Sequence, residues 1–190
     1  MPFSLDPTEY VVLLSAPLTF LTVNSDNSLS VNSNTFMSSA YKVVWDNAVT
    51  KINLNKTPFI NITWKIEKDI PGIDETAKKG HDFAARVFVI KKTGATALSN
   101  RAINYVFSSN QDVGSNSPSP YTKKSIDNVL ATTKTNLNEW VTVKANVKED
   151  FKKFHNLDVN ELDGIAIMSD TDNSKQKSIT YYQNIYFSSQ

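Results

Sequence analysis

The sequence predicts an all-β protein: a two-sheet antiparallel β-sandwich, of the jelly-roll type, with one or two short helices. Three observations predict it. Apolar and polar residues alternate with a period of two along much of the chain, as in strands with one face buried. Polar loops of hairpin and Greek-key length separate these segments. Helical spacing is convincing in one short stretch. The chain has 190 residues, 40% of them hydrophobic and 11% aromatic, which suits a single core. Without internal repeats, a low-complexity linker or a shift in composition, residues 1–190 are read as one sandwich domain.

Taken in order, residues 10–14, 20–23, 29–31 and 40–45 are the N-terminal strand candidates. In 58–66, Ile60, Ile62, Trp64 and Ile66 alternate with Asn61, Thr63 and Lys65, so the first set is assigned to the core. In 82–91, Phe83, Ala85, Val87 and Val89 oppose Asp82, Ala84, Arg86 and Phe88. A loop at Thr93-Gly94-Ala95 leads to a strand at 102–107, and strands at 124–133 and 140–147 follow. Residues 165–168 are short and wholly apolar, the mark of a central strand, and the tyrosine-rich 179–187 closes the chain. The helix is 148–154, where Phe151 and Phe154 share one face among charges; 74–79 adds one turn. With five glycines and seven prolines, Asn, Asp and Ser must make many of the turns.

Composition excludes several function classes. Zero cysteines exclude disulfides, thiolate metal sites and cysteine nucleophiles. Two histidines, His81 and His155, do not make a multi-histidine metal centre. A net charge of +1 argues against the broad basic surface of a nucleic-acid binder. No apolar run approaches the ~20 residues of a membrane span. The apolar run at 10–14 lacks the basic flank of a secretory signal and is read as a strand. The sequence contains no Gly-rich phosphate loop, Gly-x-Ser-x-Gly elbow or His-Glu-x-x-His, so no cofactor and no catalytic residue is assigned.

Two features carry chemistry. Asp170-Thr-Asp-Asn173 follows the central strand. Its oxygens suit a hard cation, but an EF-hand count puts Lys175 at the glycine position and Tyr181 at the terminal glutamate. The favoured reading is an Asx-rich turn whose side chains cap backbone N–H groups, and no metal is assigned. Arg86, one of two arginines, lies mid-strand among apolar residues, where an unpaired charge costs several kcal/mol. It needs a carboxylate, a ligand or solvent; Asp82, on the same predicted strand face, and Asp170 are the candidates. Strand parity places Lys65, Arg86, Asn104 and Asn146 on one polar sheet face. Tyr105, Tyr121 and Tyr182 are candidate stacking residues beside it, an arrangement suited to saccharides. His81 is read as a loop residue, and His155 as interacting with the helix C-terminus.

In order along the chain, the motifs are Pro58…Trp64-Lys65, Lys79-Gly-His-Asp-Phe-Ala-Ala-Arg-Val-Phe-Val89, Ile103-Asn-Tyr-Val106, Trp140…Asn146-Val147…Asp150-Phe151…Phe154, Ile165-Ala-Ile-Met-Ser-Asp-Thr-Asp-Asn173 and Tyr181-Tyr182…Ile185. This set resembles a bacterial family of domains of unknown function, the one numbered three thousand and forty-seven, over about residues 25–188. His81-Asp82 stands where that family usually has two aspartates, and Phe107 where it has a tryptophan. The resemblance implies a secreted or periplasmic β-sandwich similar to carbohydrate-binding modules, with no established activity. Asp82, Arg86, Asn104, Asp170, Asp172 and Asn173 match its motifs.

The expected function is non-catalytic binding of a glycan or another polar ligand, with a glycan or protein partner. The ligand-binding set is Lys65, Asp82, Arg86, Asn104, Tyr105, Asn146, Asp170, Asp172 and Asn173. Replacing Arg86 or Asp170 by alanine is expected to remove binding and leave the domain folded. The alternatives are a saccharide hydrolase or lyase using an aspartate pair, with Asp82, Asp112, Asp170 and Asp172 as candidates, and a structural or virulence-associated interaction protein.

Overall fold

The computed structural model describes residues 52–190 and, ahead of them, the backbone of five strands: β1 (Phe3–Ser4), β2 (Val12–Leu14), β3 (Phe20–Val23), β4 (Leu29–Ser33) and β5 (Ser38–Val43). Then come β6 (Phe59–Lys68), β7 (Ala85–Lys91), β8 (Arg101–Ser108), β9 (Asn116–Ser119), β10 (Thr122–Thr132), α1 (Thr133–Asn136), β11 (Val141–Asn146), α2 (Val147–His155), β12 (Gly164–Asp170) and β13 (Ser178–Ser188). Residues 10–11 and 44–45 of the predicted strands lie outside the described residues.

Two sheets face each other. The first runs β11-β6-β13-β4-β3, with β1 also paired to β13; the second runs β2-β5-β12-β7-β8-β10-β9. The chain stays in one sheet from β3 to β4 and from β7 to β10 and changes sheet at every other connection, the wiring of the predicted sandwich. β12 is an interior strand between β5 and β7, as its apolar run predicts.

Alternation in β6 sends Ile60, Ile62, Trp64 and Ile66 into the space between the sheets, where all four are fully buried. Val87 and Val89 of β7, Ile103, Tyr105 and Phe107 of β8, Ile165 and Ile167 of β12, and Tyr182 and Phe187 of β13 complete that core. Trp64 lies at its centre, with ring centroids 5.5 Å from Phe107 and 6.4 Å from Tyr182. Helix α2 covers one side through Phe151. Asn146 accepts the Glu149 N–H at 3.2 Å as its N-cap, and the helix stops at left-handed Asn156, whose N–H returns to Lys152 C=O at 3.1 Å.

Three features depart from the sequence reading. First, β8 and β10 are parallel, because β9 intervenes between them and hairpins antiparallel onto β10. β9 contains Pro118 and sits at a sheet edge, where a missing N–H is tolerated; its pattern does not alternate, so the sequence does not mark it as a strand. Second, β7 begins at Ala85, not Asp82. Side chains hold the backbone before it: Asp170 Oδ1 accepts the Phe83 N–H at 2.9 Å, and Thr180 Oγ1 donates to Ala84 C=O at 2.7 Å. Parity therefore shifts. Ala84 joins the main core, and Phe83 packs with Val106 and Val129 on the opposite side of the second sheet. Third, the predicted helical turn at 74–79 is a 3-10 turn at Lys78–Gly80. Buried Glu75 holds this loop by accepting from Ser108 Oγ, from Ser109 N at 2.9 Å, and from Asn110 Nδ2 and Gln111 Nε2 at 3.0 Å. A Cβ on Gly80 would meet Asp74 O at 2.5 Å, so this close approach requires glycine.

Because Trp64 fills the centre of the core, Trp64→Ala should cost about 3–5 kcal/mol. Urea unfolding should show a clearly lower midpoint with little change in slope; an unchanged midpoint would contradict the packing described.

Candidate functional site

The site lies on the face of the second sheet turned away from the core. It begins with Arg86 on β7, opposite Val106 of β8 and Met168 of β12. Its side chain is 5% exposed. Nη2 donates to both oxygens of Asp170 at 3.1 Å and to His81 C=O at 3.3 Å. The guanidinium carbon stands 4.6 Å from the Phe83 ring centroid and 5.7 Å from that of Phe88. Nε is buried with no hydrogen-bond partner.

From β13 of the opposite sheet, the Tyr182 hydroxyl accepts the Arg86 N–H at 2.9 Å and donates to Met168 C=O at 2.8 Å. It does so where the β7–β12 register ends, at Met168 and Arg86. Asp82 is fully buried and accepts from Asn173 N at 3.2 Å, Asn173 Nδ2 at 2.8 Å and Ser174 N at 2.6 Å. The two segments thus hold each other: Asp170 anchors the chain at Phe83, and Asp82 caps the turn beyond Asp170. On the neighbouring strands, Asn104 Nδ2 donates to Ser125 Oγ at 2.8 Å and Asp127 Oδ1 at 2.7 Å. Asp127 Oδ2 lies 2.7 Å from His81 Nε2.

Above this network is a cleft of about 420 Å³. His81, Arg86, Phe88, Asn104, Asp172 and Asn173 face it, and Tyr121 forms one wall. The Tyr121 hydroxyl lies 3.2 Å from Asn173 Oδ1, and its ring, 59% exposed, meets His81 edge-on at 5.5 Å.

Burial pushes the Asp170 carboxyl up to about 6, against the opposing pull of Arg86 and the Phe83 N–H. Burial likewise raises Asp172, and neighbouring Asp82 raises it further. Burial also works against ionising Asp82, but the hydrogen bonds from Ser174 and Asn173 outweigh it and leave this carboxyl below its ordinary value. Asp82, Asp170 and Asp172 present oxygens within 4.8 Å of one another and are the described residues able to hold a cation. A cation there would compete with Arg86 for Asp170 and with three N–H donors for Asp82.

Of the nine expected ligand residues, Arg86, Asn104, Asp170, Asp172 and Asn173 come together at the cleft, and Asp82 lies behind it. Lys65, Tyr105 and Asn146 do not share that face. Lys65 belongs to the first sheet, its Nζ 4.5 Å from the Tyr181 ring and 5.7 Å from Trp140. Asn146 is the cap of α2. Tyr105 is fully buried in the core, with its hydroxyl on Asp150 at 2.8 Å, and Tyr182 is equally buried. Parity fixes which side of a strand a residue takes but not its sheet, which is why the four-residue polar face does not form. His155 bonds Ala102 C=O at 3.0 Å rather than its own helix end. Asp112 pairs with exposed Lys134 elsewhere. Asp127 and His81 are the participants the sequence reading passed over; the only signal was alternation that sets Ser125 and Asp127 on one face of β10.

Residues 4–186 match a family model described as protein of unknown function, DUF3047. No curated protein matches the chain. Among solved structures, the xyloglucanase domain of NopAA, a type three effector from Sinorhizobium fredii, in complex with cellobiose, has a TM-score of 0.52 at 13% identity, over 100% of this chain and 98% of that one. A family 30 carbohydrate-binding module of a cellulosomal cellulase of Clostridium thermocellum scores 0.49 at 8% identity, over 100% and 91%. A point variant of a family 29 carbohydrate-binding module scores 0.48 at 11% identity, over 96% and 84%. The first of these likenesses shows the fold.

The buried Arg86–Asp170 pair changes what mutation should do. Removing either partner strands a buried charge, so Arg86→Ala should destabilise the protein by about 3–5 kcal/mol, contrary to the expectation that it stays as well folded. Asp170 also has a pH signature. Its folded value, about 6, lies above the ordinary 3.8, so the folded state takes up a proton first as pH falls. Its contribution to stability therefore rises from pH 7.5 to 4.5, by about 2 kcal/mol. The stability difference between wild type and Asp170→Asn should move by that amount in favour of wild type; a difference flat with pH would refute it.

Proposed function

We propose that this chain, which belongs to the DUF3047 family of proteins of unknown function, is a non-catalytic β-sandwich module that binds a glycan in the cleft over Arg86. The observation that carries the reading is a guanidinium lining the cleft with N–H groups beyond those committed to Asp170 and His81. A ligand oxygen that meets one of those donors in the partly dry cleft gains a charge-assisted hydrogen bond.

The surroundings suit a sugar. Asn104, Asn173, Ser125 and Thr122 line the cleft with groups able to donate to and accept from ring hydroxyls, and Asp172 adds an acceptor. Tyr121 and Phe88 supply ring surface for the apolar face of a pyranose. The non-catalytic part of the reading is supported by the engagement of the expected acid pair: Asp170 is held by Arg86, and Asp82 caps a turn behind the cleft. Among the described residues no helix is long and apolar enough to cross a membrane. The reading extends to a secreted or periplasmic setting in bacteria, where polysaccharide is met.

A glycan array with the native chain should return at least one binding oligosaccharide; an array without a binder would overturn the reading. Tyr121→Ala should then weaken that ligand roughly 2- to 10-fold by calorimetry, the loss of one stacked ring, with an unchanged melting temperature because the ring is exposed. Arg86→Lys keeps the charge but loses the planar fork, and should weaken binding more than Tyr121→Ala.

A further inference from the structure

The charges around the cleft carry the reading one step further. Resting on the cleft being a saccharide site, we infer that it selects uncharged sugars over acidic ones, and that Asp172 is the residue that enforces the choice.

A buried arginine would by itself favour a carboxylated sugar. Here that charge is already matched, since both oxygens of Asp170 lie 3.1 Å from Nη2. What Arg86 has left to offer are the N–H groups not committed to Asp170 and His81, on a guanidinium whose charge is already answered, so an acidic sugar finds no net positive charge there. His81, the other basic residue facing the cleft, lies 2.7 Å from Asp127, so any charge on its ring is answered there as well.

Asp172 has no such close ion pair. It lines the cleft half-buried, with its carboxylate hydrogen-bonded by Asn173 Nδ2 at 3.2 Å; it clusters with Asp82 and Asp170, and the cation whose charge acts on it is Lys175. The nearest lysines stand at the rim. Lys175 reaches the backbone carbonyl of Asp172 through its Nζ, and Lys78 lies over the outer side of the Tyr121 ring at 5.8 Å. Both are exposed to solvent, where their fields are screened, while the carboxylates below are not. A hydroxyl entering the cleft donates to Asp172 and accepts from Arg86. A uronate carboxylate would be pressed against a fixed like charge in a partly dry space, which is how a site rejects a wrong partner.

The test uses the whole chain and matched tetrasaccharides that differ only in oxidation at C6: cellotetraose against its uronate, and the corresponding manno and galacto pairs. Calorimetry should show the neutral member of a binding pair held at least tenfold more tightly. Asp172→Asn should close most of that gap by tightening the uronate, while Asp112→Asn, remote and exposed, should leave it unchanged. Circular dichroism would confirm that both variants are folded. A uronate bound as tightly as its neutral twin by the wild type, or a gap that Asp172→Asn does not narrow, would overturn the inference while leaving a saccharide site in place. Binding of no member of any pair, together with a blank array, would remove the saccharide reading and the inference with it.

Discussion

A guanidinium placed in the wall of a sheet has to be neutralised and hydrogen-bonded before that sheet can be stable, and much of the described architecture answers this one demand. Arg86 draws Asp170 to it, and Asp170 in turn fixes the backbone at Phe83. That contact replaces the ladder which alternation alone would have extended to Asp82. Freed from the strand, Asp82 reaches the turn after β12 and caps it at Asn173 and Ser174. Two loops distant in sequence become one rigid unit, and the cleft lies over their junction. The satisfaction is incomplete, since Nε keeps a bond unmade.

The tyrosines show how the sandwich holds without disulfides. Tyr105 and Tyr182 fill core volume and send their hydroxyls to Asp150 and to the backbone of β7 and β12. A phenol buried this way needs a partner, and once it has one it ties elements together. Tyr182 is a strut from the first sheet to the floor of the site in the second. Tyr121 is different: it sits in the loop between β9 and β10, and its ring remains open to the cleft. Three residues of one type thus divide between the core and the wall of the cleft according to where the chain leaves them.

The electrostatics of the cleft follow from the same burial. Desolvation raises Asp170 and Asp172, while backbone donors hold Asp82 ionised, so three neighbouring carboxyls differ in proton affinity for identifiable reasons. Asp170 is spent on Arg86 and Asp82 on the turn, which leaves Asp172 to face whatever enters. The polar face of the second sheet thus carries carboxyls of unequal proton affinity beside a charge-matched guanidinium, in a fold shared with a xyloglucanase domain of known structure.

What the sequence determined by itself is what depends on neighbours along the chain. The two-residue period of β6, the apolar run of β12, the paired phenylalanines of α2 and the Asp-Thr-Asp-Asn turn were legible because the side chains that define them lie within a few residues of one another. The need of Arg86 for a carboxylate was legible too, because burying charge is costly in any fold. Tertiary structure alone decided which sheet each strand joined. It sent Lys65 and Asn146 to the first sheet and Arg86 and Asn104 to the second, set β10 parallel to β8, and so brought Asp127 between Asn104 and His81. The physical reason is that strand periodicity fixes a side chain's face relative to its own backbone, whereas the partner across a sheet is chosen by packing and hydrogen bonding over the whole chain.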